Sequence, residues 1–327
     1  MRSEYKILVT TGLAVALCLQ AERTPAQTAA ATGDVAAPLA PGVSRVTSPP
    51  LGKTAGQSRR TGGDPVDDRV ELREYGFKDT NENLPYAVFV SSKVTRDIKA
   101  PLVLALHGFS GNHGTFMRTG VVDAAEQGGY ILVGAMGYSP SGSFGMPFGG
   151  GGPNRGRGAA AAGPGGRGGA GGRGAPIGGT AVTDSARVAE LSEKDAMNVL
   201  EMARKEFNVD DRRIYLMGHS LGGGGSLHMG EKYADTWAAV APLAPAAFGF
   251  QWTAESKLRN VPLLIMQGEA DTTVRPAASQ ALADQLRSLN FQCEIKIMPG
   301  LDHGTIIAGA MPEVFKFFGQ HTKPAAK

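Results

Sequence analysis

An apolar run that ends abruptly at a Gly-x-Ser-x-Gly pattern is the feature that most constrains this chain. Residues 214–217 lead into Gly-His-Ser-Leu-Gly at 218–222, and the residues that follow have helical spacing. In a strand–turn–helix context this pattern is a nucleophile elbow, which lifts a serine hydroxyl out of a sheet. The turn is so tight that residues two before and two after Ser220 must lack side chains, as Gly218 and Gly222 do. The alternative is a glycine-rich turn with an incidental serine. The presence or absence of the other catalytic groups distinguishes the two.

A serine nucleophile needs a general base, and histidine suits this role because its ordinary pKa lies near neutrality. The chain has six histidines. Five are set aside by their positions in a terminal tail, on the helix after the elbow, beside the serine, or next to an earlier strand: His321, His228, His219, His107 and His113. His303 remains, in a loop after the last predicted strand, and is the predicted base.

The base in turn needs a carboxylate that fixes its tautomer and stabilises the imidazolium. Asp271 follows the strand predicted at 261–266 and is favoured. Glu269 and Asp302 are the alternatives. Glu269 is two residues nearer the strand end, and Asp302 adjoins His303, where neighbouring side chains diverge.

The oxyanion of a tetrahedral intermediate needs two preorganised N–H donors. One is expected from the residue after the nucleophile, Leu221, at the positive end of the next helix. The other is expected from the loop after the strand that ends at Leu106. Phe109 is the predicted donor there, with Ser110 as the alternative.

The wider pattern predicts an α/β fold. Continuous apolar runs alternate with amphipathic helical segments from residue 101 to 318, which indicates strands covered on both faces. We expect a mostly parallel, doubly wound sheet of about eight strands with helices on both faces. Residues 69–75 and 84–90 are predicted to add an antiparallel edge. Four consecutive glycines at 222–225 disfavour a helix, so close packing around the elbow is expected to explain them.

The regions outside this pattern have other compositions. Residues 1–30 carry cations, a short apolar run and small residues, which predicts a signal peptide and a secreted or periplasmic protein. The apolar run is shorter than the ~20 residues of a membrane span. Residues 31–65 predict a disordered Ala/Pro-rich linker, and about 142–180 a disordered Gly/Arg-rich insertion in a domain at 66–320. Residues 321–327 are a predicted tail.

Composition argues against a nucleic-acid partner. The formal net charge is only +3. Segments that bind single strands combine cations with stacking aromatics. No aromatic residue interleaves the arginines of the insertion: Arg155, Arg157, Arg167 and Arg173. An RNA-binding role for the insertion is therefore the least favoured hypothesis.

Leu106-His107-Gly108, the elbow, Asp271 and Asp302-His303-Gly304 together resemble the motifs of α/β-hydrolases over about residues 66–320. Within that superfamily the chain resembles secreted esterases of the feruloyl esterase and polyhydroxybutyrate depolymerase type. It is also similar to the catalytic domain of prolyl oligopeptidases, although no β-propeller fits upstream. The resemblance implies acyl-enzyme hydrolysis by a serine, with no metal or cofactor. The Gly/Arg-rich insertion departs from the family pattern.

The leading hypothesis is an exported serine hydrolase that cleaves small or polymer-borne carboxylic esters. A prolyl oligopeptidase-like peptidase is the alternative, and a catalytically silent binding module with the same fold is a third. Phe248, Phe250 and Trp252 follow the strand predicted at 237–242, so they could line an apolar acyl or aryl pocket or simply pack in the core. The sequence indicates no oligomeric state.

Overall fold

The computed structural model describes residues 43–45, 65–146, 178–247 and 249–325, all within one compact unit, Pro38–Lys327. Outside the described residues lie the predicted signal peptide, most of the predicted linker, most of the predicted insertion, and Phe248. Across the described ranges, no helix has both the length and the apolar character needed to cross a membrane.

One mixed sheet forms the centre of the fold. Its strands are β1 (Val43–Arg45), β2 (Glu71–Phe77), β3 (Glu82–Val90), β4 (Ala100–Leu106), β5 (Ile131–Ala135), β6 (Val209–His219), β7 (Ala239–Leu243), β8 (Leu263–Gly268) and β9 (Cys293–Met298). The strand order is β1-β2-β3-β5-β4-β6-β7-β8-β9. The pairs from β1 to β5 are antiparallel and the pairs from β5 to β9 are parallel. The predicted mostly parallel sheet with an antiparallel edge is therefore confirmed.

The described sheet has nine strands rather than about eight. The additional strand, β1, lies inside the stretch predicted to be a linker and corrects that prediction for three residues. A strand this short carries too few residues to show an alternating pattern in the sequence.

Helices cover both faces of the sheet. They are α1 (Thr119–Gly128), α2 (Ser185–Glu206), α3 (Leu221–Lys232), α4 (Pro276–Ser288), α5 (Ile306–Gly309) and α6 (Met311–Gln320). Alternate residues of β4 enter opposite layers. Leu102 and Leu104 pack in the cluster that contains residues of α2, α3 and α4, and Val103 packs in the cluster with α1, α5 and α6. The central strands are thus buried on both sides, as their continuous apolar runs predicted.

Apolar residues at helical spacing predict a helix at about 185–206, and α2 has these bounds. Asp184 caps it, because the carboxylate accepts a hydrogen bond from the N–H of Arg187 at 2.8 Å. Such a cap satisfies one of the free N–H groups of the first turn. For α1 the sequence predicts a helix from Thr115 to Glu126. The helix begins at Thr119 instead, because turn hydrogen bonds such as that from the Met117 N–H to the Gly114 carbonyl occupy the preceding residues. The four-residue helix α5 was not predicted.

The insertion predicted at about 142–180 is narrower at both ends. Phe144 is fully buried, and the N–H of Thr180 donates to the Glu82 carboxylate at 2.6 Å. The flanks of the insertion therefore belong to the folded domain. Within the predicted insertion, residues 147–177 lie outside the described ranges. High glycine content conceals this boundary in the sequence, since glycine serves tight packing as well as flexible chain.

The carboxyl ends of the parallel strands converge at one edge of the sheet. The loops that follow β4, β6, β8 and β9 carry Phe109, Ser220, Asp271 and His303, respectively. In open α/β sheets, ligands bind at this edge. The topology thus gathers the predicted site residues from distant parts of the chain.

Candidate active site

Ser220 lies between β6 and α3 in a strained backbone conformation. Its φ of 55° and ψ of −112° are unusual for a residue with a side chain, and such strain persists only where surrounding contacts over-determine it. Here the N–H of Ser220 donates to Leu243 at 2.9 Å, and its carbonyl accepts from Gly224 and Ala246 at 3.0 and 2.9 Å. The loop after β7 therefore helps to hold the elbow in place.

The two elbow glycines are required by close backbone contacts. A Cβ atom at Gly218 would lie 2.0 Å from the carbonyl oxygen of Gly222, and one at Gly222 would lie 2.3 Å from that of Leu106. Both distances are far inside van der Waals contact. The requirement for glycine two positions before and after Ser220 is confirmed.

The glycine run continues because α3 packs tightly against its surroundings. A Cβ atom at Gly224 would lie 2.5 Å from the carbonyl oxygen of Ala246, and one at Gly225 would lie 2.8 Å from Cβ of Phe144. Ser226 is fully buried, and its hydroxyl donates to the carbonyl of Gly223 at 2.8 Å. Close packing explains the run as predicted, and Ser226 is a packing residue.

His303 and Asp271 form a direct hydrogen bond. Nδ1 of His303 lies 2.7 Å from Oδ2 of Asp271. The Asp271 side chain is fully buried and that of His303 is 22% exposed. Burial raises the pKa of Asp271, but hydrogen bonds from His303 and from the N–H groups of Val274 and Thr273 outweigh it and lower the pKa below its ordinary value. An ionised carboxylate therefore faces the imidazole, whose Nδ1 carries the proton and whose Nε2 is free to accept one.

The competing carboxylates make other contacts. Glu269 accepts a hydrogen bond from the N–H of Gly300 at 3.2 Å. Asp302 is exposed, and its Oδ1 accepts from the N–H groups of Gly304 and Thr305. Both carboxylates thus hold the loop that carries the histidine, whereas the ring Nδ1–H of His303 donates its hydrogen bond to Asp271.

Gln267 is a site residue that the sequence analysis missed. It is fully buried, and its Nε2 lies 3.2 Å from Oδ2 of Asp271 and 2.9 Å from the carbonyl of Val274. Its Oε1 accepts from the Ser279 hydroxyl at 2.6 Å. The Gln267 side chain thus holds the Asp271 carboxylate in position through a hydrogen bond. A polar residue at the end of the apolar strand β8 was the available signal.

His219 contacts the candidate base, a role that the sequence analysis did not foresee. Its Nε2 lies 2.6 Å from the backbone carbonyl oxygen of His303, and the two rings lie 4.6 Å apart. Burial, together with repulsion from His303 when that ring is protonated, lowers the pKa of His219 to about 4. The ring is therefore neutral at pH 7, and Nε2 must carry its proton because a carbonyl oxygen can only accept. The residue before Ser220 thus fixes the loop of the candidate base.

We predict that His219→Phe lowers kcat for ester hydrolysis by about tenfold to a hundredfold, because a shift of about 1 Å in a catalytic group can cost this much. Phenylalanine retains the ring contact but cannot donate to His303. His321→Phe is the matched control, because Nδ1 of His321 also bonds a backbone carbonyl, that of Phe317, away from the site. Steady-state kinetics on a p-nitrophenyl ester measure both. Equal kcat values in the two variants would show that the contact with His303 does not matter.

The backbone N–H groups of Phe109 and Leu221 have no hydrogen-bond partner in the described part of the chain. The alternative donor, Ser110, has its N–H committed to the carbonyl of Pro140 at 2.8 Å. A Cβ atom at Gly108 would lie 3.2 Å from that of Ser220, so the loop after β4 lies against the elbow. This geometry favours Phe109 over Ser110.

The Ser220 hydroxyl makes no hydrogen bond to His303 among the described residues. In unliganded hydrolases such contacts are often long and tighten only when substrate binds. Ser220 is partly exposed and Phe109 is 65% exposed, so both are accessible at this edge of the sheet.

The predicted aromatic pocket residues pack among themselves. Phe250 and Trp252 stack with centroids 4.8 Å apart, and Trp252 meets the edge of Phe291 at 5.8 Å. Trp252 is buried within the cluster that contains α2, α3 and α4. These contacts are those of core packing, and a role in substrate binding stays a prediction. Phe248 lies outside the described residues.

Over the described residues, no group of three or more His, Cys, Asp or Glu side chains is arranged to hold a metal ion.

Parts of the chain are similar to known hydrolases. A family model described as PET hydrolase-like matches residues 184–292, which include Ser220 and Asp271. A bifunctional acetylxylan esterase/xylanase of Neocallimastix patriciarum is 31% identical over 119 residues, or 36% of this chain and 17% of that protein. Cutinase 1 of Thermobifida cellulosilytica is 37% identical over 73 residues, or 22% of this chain and 26% of that protein. The matched stretches thus span only a minor part of these relatives.

The fold itself is shared with solved esterases. A ferulic acid esterase from Anaeromyces mucronatus, solved with ferulic acid, superposes with a TM-score of 0.56 and 16% identity, covering 80% of this chain and 94% of that one. The chain therefore has the α/β-hydrolase fold. Its sequence and structural matches include esterases and a cutinase.

Proposed function

We propose that the protein is an exported serine hydrolase that cleaves carboxylic esters through an acyl-enzyme, with Ser220, His303 and Asp271 as its triad. The observation that carries the proposal is the 2.7 Å hydrogen bond between His303 and Asp271 in loops at the edge of the sheet where Ser220 lies. The small-residue and apolar pattern of residues 1–30 supports export.

The proposed first half-reaction forms the acyl-enzyme. Ser220 Oγ attacks the ester carbonyl carbon as Nε2 of His303 takes the hydroxyl proton. The carbonyl oxygen becomes an oxyanion between the N–H groups of Phe109 and Leu221. The intermediate then collapses, the bond from carbon to the alcohol oxygen breaks, and the alcohol leaves with the proton from His303. Asp271 stabilises the imidazolium between these two transfers.

The second half-reaction repeats this sequence with water. His303 takes a proton from water as the hydroxide oxygen attacks the acyl carbon. The same two N–H groups receive the new oxyanion. Collapse breaks the bond to Ser220 Oγ, which regains its proton from His303, and the carboxylic acid departs. Each cycle consumes one water molecule and returns the three side chains to their starting protonation.

Esters are favoured over peptides as substrates because the sequence relatives are named as an acetylxylan esterase and cutinases. Cutinase resemblance also supports polymer-borne esters as substrates, beside small ones. A prolyl oligopeptidase-like peptidase would use the same catalytic groups and is the second candidate.

Matched substrates separate the two candidates. One protein preparation is assayed on three esters, p-nitrophenyl acetate, p-nitrophenyl butyrate and methyl ferulate, and on p-nitroanilide peptides. Ser220→Ala serves as the blank. We expect turnover of the esters and little or none of the anilides. Clear preference for the anilides would replace the esterase proposal with the peptidase.

A further inference from the structure

Asp195 is a buried carboxylate with no role in the proposed reaction. It lies on α2, is fully buried, and accepts hydrogen bonds from the Tyr75 hydroxyl at 2.6 Å and from the Gly137 N–H at 2.7 Å. A further contact comes from the N–H of Tyr138 at 3.3 Å. Burial raises the pKa of Asp195 to about 6, so the group is mostly ionised at pH 7. A buried charge is costly unless hydrogen-bond donors surround it, and here they do.

The two backbone N–H donors, Gly137 and Tyr138, belong to the loop after β5, residues 136–140, which we call the β5 loop. Gly137 and Tyr138 both have positive φ angles, 65° and 61°. For tyrosine this left-handed conformation is strained, and it persists only where contacts enforce it. Because both N–H groups point at one carboxylate oxygen, Asp195 supplies such a contact.

The β5 loop in turn holds the loop that carries Phe109. The carbonyl of Pro140 accepts from the Ser110 N–H at 2.8 Å, and the carbonyl of Met136 lies 2.6 Å from Nε2 of His107. These two contacts flank Phe109 on both sides in the sequence. The direction in which the Phe109 N–H points therefore depends on where the β5 loop lies.

We propose that Asp195 is a positioning residue for the oxyanion hole, acting through the β5 loop and Ser110 on the N–H of Phe109. This inference rests on the proposed function, because it assigns a task in the same site. Asp195 contacts no reacting atom. Its effect falls on the transition state, since the oxyanion exists only there and in the tetrahedral intermediates.

The test compares Asp195→Ala with Asp195→Asn on p-nitrophenyl acetate. Asp195→Ala is expected to lower kcat by about tenfold to a hundredfold with little change in KM, less than the full loss of one oxyanion donor. Asp195→Asn is expected to recover most of the loss, because the amide oxygen still accepts from Gly137 and Tyr138. An arylboronic acid, which forms a tetrahedral adduct with the nucleophile, should bind Asp195→Ala more weakly than wild type by a similar factor.

Glu193→Ala is the matched control. Glu193 is a buried carboxylate on the same helix, but its partners are His228, Lys232 and Tyr233, away from the β5 loop. Its loss should cost stability and leave kcat near the wild-type value. If Asp195→Ala fails to fold, Tyr75→Phe, which removes one partner of Asp195, takes its place and should lower kcat several-fold at constant KM.

Wild type and Ser220→Ala are run in the same assay. A wild type that does not turn over the ester overturns the proposed function, and with it this inference. The other outcome is an active wild type and a folded Asp195→Ala, or Tyr75→Phe in its place, whose kcat and boronate affinity equal those of Glu193→Ala. That result would overturn the positioning role alone.

Discussion

Replacement of Ser220 by alanine is expected to lower ester turnover by about 10⁴-fold or more while the protein remains folded. The reason is that Ser220 is the only nucleophile of the proposed mechanism, whereas the contacts that hold the elbow involve the backbone of residue 220 and persist in alanine. The measurement is kcat/KM on p-nitrophenyl acetate, with thermal unfolding to check the fold.

Ser226→Ala is the matched control for this variant. Ser226 lies in α3, the helix that directly follows Ser220, and its hydroxyl donates to the backbone carbonyl of Gly223. The variant should retain turnover and lose some stability. If Ser220→Ala kept near-wild-type activity, or Ser226→Ala lost it, the assignment of the nucleophile would be wrong.

Replacement of Asp271 by asparagine is expected to lower kcat by about 10⁴-fold, as loss of the acid does in other serine hydrolases. An amide NH₂ at this position would face Nδ1 of His303 and favour the tautomer whose Nε2 carries the proton and so cannot accept one from Ser220. The same assay on purified Asp271→Asn measures this loss.

Asp302→Asn and Glu269→Gln are the controls, since these carboxylates are the rivals for the same role. All three hydrogen bonds that the Asp302 side chain accepts reach Oδ1, which an asparagine oxygen can replace. Both controls should keep most of the activity. Loss of activity in Asp302→Asn with retention in Asp271→Asn would reassign the acid.

Asp271 also contributes to stability in a pH-dependent way. Its folded-state pKa lies below the ordinary value of 3.8, so its ionisation stabilises the fold above that value and the contribution is lost as pH falls through the lowered pKa. The stability difference between wild type and Asp271→Asn should therefore be constant near neutrality and shrink only in strong acid.

Much of the fold was predictable because its signals are local. Strands β4, β5 and β7 are apolar runs, the apolar stretches 214–217 and 263–266 lie in β6 and β8, and α2 has both a cap and a clear helical period. The positions of these elements therefore followed from the sequence. The boundary of the insertion was not predictable, since Phe144 packs against residues of α2 and α3 that come later in the chain.

The residues of the candidate site also fall into two groups, those that the sequence predicts and those that only the structure reveals. Residues of specific chemical type in motif order, such as Ser220, Asp271 and His303, could be predicted from the sequence. The supporting residues Gln267, His219 and Asp195 could not, because their roles depend on hydrogen bonds between loops that only the folded sheet brings together. A polar side chain in an apolar segment is the one signal that Gln267 offered.

The central claim, that Ser220 is an activated nucleophile, is tested most directly by covalent labelling. The folded protein is treated with a fluorophosphonate, and the modified residue is located by peptide mass spectrometry, with Ser220→Ala and Asp271→Asn alongside. We predict a single adduct on Ser220 in wild type, none at that position in Ser220→Ala, and much slower labelling in Asp271→Asn. An adduct on another serine, or ester turnover by wild type with Ser220 unlabelled, would contradict the account.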